Sequence, residues 1–210
     1  MARSLIDSEE DERPPELTDY VATRWYRAPE ILAGSRSYGC PVDLWSLGGI
    51  FGEMLGGKPV FAGSSTLNQL EKIVEVLGMP SKESKEKVDS VFINSMVESL
   101  TNSSAPVKTF EEQKEAWKKI YETASDDAID LLTRLMQFNP AERMTAKEGL
   151  THPYCSQFHD EESEIEAKRS VNCEVPSEGK QGTMKVPDNT KMGTAFYREQ
   201  LYTMIKMSKK

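Results

Sequence analysis

The 210-residue sequence predicts a mainly α-helical fold. Three observations carry that expectation. Apolar residues recur at three- and four-residue spacing in several segments, each opened by a capping residue and closed by a stop signal. No segment carries a strong strand signal. One segment, Pro41 to Leu55, is apolar almost all round, as expected of a helix in the middle of a domain.

In chain order, residues Met1 to Glu16 form a polar, acidic lead with Pro14-Pro15 and predict an exposed loop. Leu17 to Glu30 has neither a clean 3.6 nor a clean 2.0 period, and Pro29 forbids a helix interior. It gathers Thr18, Tyr20, Thr23, Arg24 and Arg27, hydroxyls and guanidinium groups that together suit phosphate chemistry. A loop follows around Gly34 to Gly39. Pro41 suits a first helical position and Gly56-Gly57 a helix stop. Asp43 falls in the first turn of that helix, where the dipole favours a carboxylate and free amides can be capped.

Thr66 to Gln69 has capping-box spacing, and Leu67, Leu70, Ile73, Val74 and Leu77 follow on one face until Gly78. Met79 to about Lys119 is rich in Lys, Glu and Ser and predicts short helices in a surface insertion, with a turn at Ser103 to Pro106. Ser125 opens a helix with Asp126 and Asp127 in its first turn, a stripe of Ile129, Leu132, Leu135 and Met136, and an end at Asn139-Pro140. Thr145 to Glu148 is a second capping box, opening a short helix that stops before His152-Pro153. Between these helices lies Arg143, a cation in a short connector that calls for a carboxylate partner. An acidic cluster at Asp160 to Glu166 and a loop-like stretch lead to an amphipathic helix from Thr194 to Met207.

The net charge of -8 argues against general nucleic-acid binding and suits basic partners. No run of about 18 apolar residues predicts a membrane span, and the acidic start is no secretory signal. Cys40, Cys155 and Cys173 are odd in number without metal-ligand spacing, which predicts free thiols in a reducing cytoplasm or nucleus. His152 and His159 are expected in local packing or surface roles.

Ala28-Pro29-Glu30 matches the A-P-E signature that closes a protein-kinase activation segment. The whole run from Thr18 to Glu30 resembles the mitogen-activated protein kinases, with a Thr-x-Tyr pair at their distance from A-P-E. Val42-Asp43-Leu44-Trp45-Ser46-Leu47-Gly48 resembles the kinase D-x-W-S-x-G helix. Asn139-Pro140 to Arg143 and His152-Pro153-Tyr154 resemble the last motifs of that fold. Within the family the chain is similar to the extracellular-signal-regulated kinase group, including its atypical branch. Ser64 to Glu71 supports this, and Asp19 stands where many members have Glu.

The resemblance implies a protein-kinase-like C-lobe, the helical lobe of an α+β fold whose N-lobe is not in this chain. It divides the chain into activation segment and following loop (1–40), C-lobe helices with an insertion (41–159, insertion at about 79–119) and a C-terminal extension (160–210). It implies that Thr18 and Tyr20 accept phosphate, that Arg24 and Arg27 bind it, and that Thr23 and Asp43 contact the catalytic loop. Trp25 and Tyr26 would shape the pocket for the residue after the phosphoacceptor, with core packing as the rival role for Trp25. Glu30 and Arg143 would form a structural ion pair. Asp160, Glu161, Glu162 and Glu164 would fall near an acidic patch that docks basic motifs, a solvated acidic turn being the alternative.

The implied function is proline-directed phosphorylation of proteins on Ser or Thr in intracellular signalling, using ATP and Mg2+. Implied partners are substrates with Ser/Thr-Pro sites, an upstream activating kinase or the kinase itself, and basic docking motifs. The Gly-rich loop, strand lysine, H-R-D and D-F-G motifs do not occur in the sequence, so this chain alone is expected neither to bind ATP and Mg2+ nor to be active. The alternative is a non-catalytic docking decoy or a pseudokinase lobe.

Overall fold

A computed structural model describes residues 24–35, 38–100, 105–164 and 193–208. The chain divides into two units, 1–165 and 166–210. In the first, a single 3-10 turn, Arg24–Tyr26, precedes helix α1 (Pro29–Leu32) and the longer α2 (Pro41–Gly56). Then come α3 (Thr66–Leu77), α4 (Lys82–Val88), α5 (Ile93–Glu98), α6 (Phe110–Ile120), α7 (Asp126–Leu135) and α8 (Ala146–Leu150), closed by a 3-10 turn at Pro153–Cys155. Among the described residues the only extended pairing is one isolated bridge, Gly78 to Val107. The second unit contributes α9 (Thr194–Ser208), in which Leu201, Tyr202 and Ile205 are exposed.

Local chemistry sets most helix ends. Ser81 and Ser125 accept from the amides of Ser84 and Ala128. Thr145 and Glu148 form a complete capping box, and so do Thr109 and Glu112 at α6, whose Thr-x-x-Glu spacing is the same signal. Gly57, at φ +70°, ends α2 by returning its amide to the Glu53 carbonyl. Two ends differ from expectation. The cap of α3 is Ser65, not Thr66, and its hydroxyl accepts from Asn68. Gln69 is buried and bonded elsewhere, so it cannot close a box. Helix α7 stops at Leu135, before Asn139-Pro140. Its last carbonyls are already taken, Thr133 by the Gln137 amide and Arg134 by the Met144 N–H.

Helix α2 is not buried all round. Its inward face is Trp45, Gly48, Gly49 and Gly52, while Leu47, Ile50 and Met54 are half or more exposed. The glycines let neighbours approach closely. A Cβ at Gly48 would lie 2.6 Å from Met136 Sδ, and one at Gly52 would lie 2.5 Å from Val60 Cγ2 and 2.9 Å from the Tyr121 hydroxyl. An aromatic row crosses the core beside this face: Trp45 to Phe61 at 6.2 Å, Phe61 to Trp117 at 6.0 Å and Trp117 to Tyr121 at 6.0 Å between centroids. Leu70, Ile73, Val74 and Leu77 of α3 and Ile129, Leu132 and Leu135 of α7 complete it. The insertion adds Val88, Ile93, Val97 and Leu100 to the core and leaves Val91 and Phe92 exposed.

A polar cluster joins α6, α7 and the final turn. Asp130 accepts from Arg134 Nε (2.6 Å) and lies 3.0 Å from Lys114 Nζ and 3.1 Å from His152 Nε2. His152 is buried, and its Nδ1 accepts from the Tyr154 amide, which leaves Nε2 as the donor to Asp130. Burial alone would raise the Asp130 carboxyl. The hydrogen bonds from Arg134, His152 and Lys114, with the Arg134 charge, outweigh it and hold the group well below the usual carboxylate range.

Candidate functional site

The site is built on the stretch from Arg24 to Glu30. Its C-terminal end is held first by backbone chemistry. Ala28 is extended (φ -65°, ψ 153°), Pro29 opens α1, and the Ile31 and Leu32 amides return to the Ala28 carbonyl. This turns the Glu30 side chain into the core, where it is 2% exposed. Both carboxylate oxygens meet the Arg143 guanidinium at 2.6 Å. The remaining Arg143 donors go to the carbonyls of Gln137 (2.8 Å), Pro41 (2.9 Å) and Phe138 (3.3 Å). All five N–H groups of the guanidinium are therefore used, and its carbon lies 5.1 Å from the Trp45 ring centroid.

The N-terminal end is held by side chains. The Tyr26 carbonyl accepts from Ser46 of α2, and the Tyr26 hydroxyl donates to Glu53 of α2. That bond to Glu53, then burial and the Glu53 charge, raise the Tyr26 phenol above its ordinary value. Trp25 is 40% exposed, so core packing is not its role. Its indole Nε1 donates to the Gly63 carbonyl (3.1 Å), and its own carbonyl accepts from Gln69 (3.2 Å). Arg24 donates from Nη1 to the Ser64 carbonyl, while its Nε is buried without a hydrogen-bond partner among the described residues. Arg27 is half-buried and has a partner.

Other candidate residues fall elsewhere. Thr18, Tyr20 and Thr23 lie outside the described residues. Asp43 is exposed in the first turn of α2 and its carboxylate has no hydrogen-bond partner among the described residues, so it caps no amide there. In the acidic turn, Asp160 accepts from the Glu162 amide, and Glu164 binds His159 Nδ1 at 2.9 Å. Glu161 and Glu162 are exposed. Among the described residues no three His, Cys, Asp or Glu could hold a metal ion.

Sequence reasoning missed Gln69, Gly63 and Glu53 as supports of this stretch. Gln69 left a signal. It sits four residues before Ile73 and eight before Leu77, so it is an amide on the buried line of α3.

Comparison with known proteins matches residues 2–155 to the protein kinase domain. Extracellular signal-regulated kinase 2 of Dictyostelium discoideum is 44% identical over 211 residues, covering 100% of this chain and 52% of that protein. Mitogen-activated protein kinase 15 of Xenopus laevis is 39% identical over 206 residues, covering 98% of this chain and 32% of that protein. Mitogen-activated protein kinase spk1 of Schizosaccharomyces pombe is 40% identical over 151 residues, 72% of this chain and 38% of that protein. The chain thus spans about half the length of the first of these relatives and about a third of the other two. With its helical architecture, these matches show that the chain belongs to the protein kinase family, as a C-lobe of the mitogen-activated type.

Proposed function

We propose that this chain supplies the C-lobe and activation segment of a proline-directed Ser/Thr kinase and is inactive without an upstream half. The observation that carries this reading is the anchoring of Arg24 to Glu30. Glu30 is tethered through Arg143, Trp25 is held out toward solvent, and Arg24 Nε is buried and unpartnered among the described residues. A buried guanidinium nitrogen left unpaired is costly, and a phosphate oxygen would satisfy it. Thr18 and Tyr20 are the phosphoacceptors, with Arg24 and Arg27 as the phosphate ligands. Each phosphate adds about -1.5 to -2 charge. Thr23 and Asp43 face the catalytic loop of the upstream half, and the unpartnered Asp43 carboxylate is consistent with that. The exposed stripe of Leu47, Ile50 and Met54 on α2 supports the same view, since a large apolar surface favours a covering partner.

In this proposal ATP and Mg2+ are bound by the upstream half, the protein acts in the cytoplasm or nucleus, and basic docking motifs meet Asp160, Glu161, Glu162 and Glu164. The test is a chimera in which the upstream half of the Dictyostelium relative precedes this chain. It should phosphorylate Ser-Pro and Thr-Pro peptides, and Thr18→Ala with Tyr20→Phe should strongly lower the rate. Arg24→Ala should lower the activity of the phosphorylated chimera about tenfold or more, the loss of one charge-assisted contact, and affect the unphosphorylated form clearly less. Full activity in the double variant would sink the activation role.

A further inference from the structure

Gln69 uses one end of its side-chain amide on the stretch just described and the other on Gly63, which touches that stretch. It is fully buried in α3. Its Nε2 donates to the Trp25 carbonyl at 3.2 Å, and its Oε1 accepts from the Gly63 amide at 2.8 Å. The Gly63 carbonyl in turn accepts from the Trp25 indole at 3.1 Å. The three bonds form a closed ring, Gln69 to the Trp25 backbone, the Trp25 side chain to Gly63, and Gly63 back to Gln69. Gly63 is required for that ring to close. A Cβ there would stand 2.6 Å from Gln69 Cα and 2.7 Å from its amide nitrogen, a backbone clash that no rotamer relieves. The next residue, Ser64, takes the Arg24 guanidinium on its carbonyl.

We infer that Gln69 is a positioning residue that sets the direction of the Trp25 indole and thereby the selectivity for proline after the phosphoacceptor. This rests on the proposal that Trp25 and Tyr26 line the pocket for that residue. Trp25 lies on a single three-residue turn and is 40% exposed, so packing alone does not fix its ring. The two bonds through Gln69 and Gly63 fix its main chain and its side chain at once. An aromatic wall held at both points presents one face to a proline ring. Released, the indole samples several rotamers and grips no preferred neighbour. A site held by its supporting residues loses selectivity when they are lost, even with every contacting residue in place.

The test uses two variants with separate effects. Gln69→Leu removes both bonds at similar volume. Gln69→Glu keeps an acceptor for Gly63 but replaces the donor to the Trp25 carbonyl with a repelling oxygen, and is the variant to read if the leucine form does not fold. In the 210-residue chain, exchange of the Trp25 indole N–H, identified by its loss in Trp25→Phe, is followed by NMR beside the buried indoles of Trp45 and Trp117. Both variants should speed Trp25 exchange by about tenfold while leaving the other two unchanged, as expected for losing one or two neutral hydrogen bonds. In the phosphorylated chimera, the ratio of kcat/KM for Ser-Pro over Ser-Ala peptides should fall by about tenfold, carried by KM. Unchanged Trp25 exchange with a lowered Tm would overturn the positioning role and leave Gln69 a packing residue. Faster exchange with an unchanged peptide ratio would keep the positioning role and overturn the assignment of Trp25 to the substrate pocket.

Discussion

Glu30 and Arg143, 113 residues apart, meet in the core through two 2.6 Å hydrogen bonds, with side-chain exposures of 3% and 0%. The pair joins the Arg24–Glu30 stretch to the connector between α7 and α8. Two charges this deep are stable only if fully paired, and the three backbone carbonyls around Arg143 complete that pairing.

Removing one partner should therefore be far costlier than removing both. Glu30→Gln leaves a buried guanidinium without its counter-charge and should destabilise the chain by about 3–5 kcal/mol. The joint change Glu30→Gln with Arg143→Met should cost clearly less than the sum of the single changes. Urea unfolding of the four proteins measures the coupling, and additive costs would contradict the arrangement.

Gly52→Ala sets two opposed effects against each other. Alanine gains up to about 1 kcal/mol in helix propensity, whereas overpacking a tight contact costs about 1–3 kcal/mol. The added Cβ would meet Val60 at 2.5 Å and the Tyr121 hydroxyl at 2.9 Å, both on buried or half-buried groups. Overpacking should win, and the Tm should fall. A raised Tm would mean that the α2 face can give way.

Asp130 should make stability fall at acid pH. Its folded carboxyl lies below its unfolded value, so its contribution is present above about pH 4 and is lost as pH falls through the lower folded value. Asp130→Asn should lower stability at pH 7 and flatten the stability curve below pH 4. Urea midpoints from pH 2 to 7 check this. Equal slopes in both proteins would show that the cluster of Lys114, Arg134 and His152 does not act through the Asp130 charge.

In the acidic turn the carboxylates have different tasks. Asp160, itself exposed, and Glu164 accept bonds within the turn, whereas the exposed carboxylates of Glu161 and Glu162 accept none among the described residues. Changing Glu161 and Glu162 to Gln should weaken binding of a basic docking peptide and reduce its salt dependence, with the fold intact. Titration of a labelled Arg- and Lys-rich peptide at two salt concentrations reads this out. Unaltered affinity would leave the turn a solvated acidic surface.

How legible was this in the sequence? The caps at Ser125 and Thr145, the stop at Gly57 and the apolar stripes of α3 and α7 were readable because each depends on residues within a turn or two of one another. The cap of α3 was misplaced by one residue because Gln69, which completes the Thr66 spacing, is claimed by Trp25 and Gly63. The end of α7 was misplaced because the Gln137 side chain and the Met144 amide take its last carbonyls before Pro140 can act. In the candidate site, the pairing of Glu30 with Arg143 was legible from the resemblance, because both residues belong to ordered motifs. The supports of that stretch on α2 and α3 were harder to read: Glu53 looks like an ordinary polar helix residue until the chain is folded, and Gln69 showed only that it sits on the buried line of α3, not what it bonds.

The sequence by itself determined the helical class, most helix ends and the kinase family, since caps, stops and ordered motifs are local patterns. Only the tertiary structure decided which face of α2 turns inward. Composition showed apolar residues all round, and it took contact with Met136, Val60 and Tyr121 to bury the glycine face and leave Leu47, Ile50 and Met54 outside. The tertiary structure also decided the closed ring of Gln69, Gly63 and Trp25. Burial and hydrogen bonding between segments about forty residues apart depend on where the chain returns in space, which no local pattern encodes.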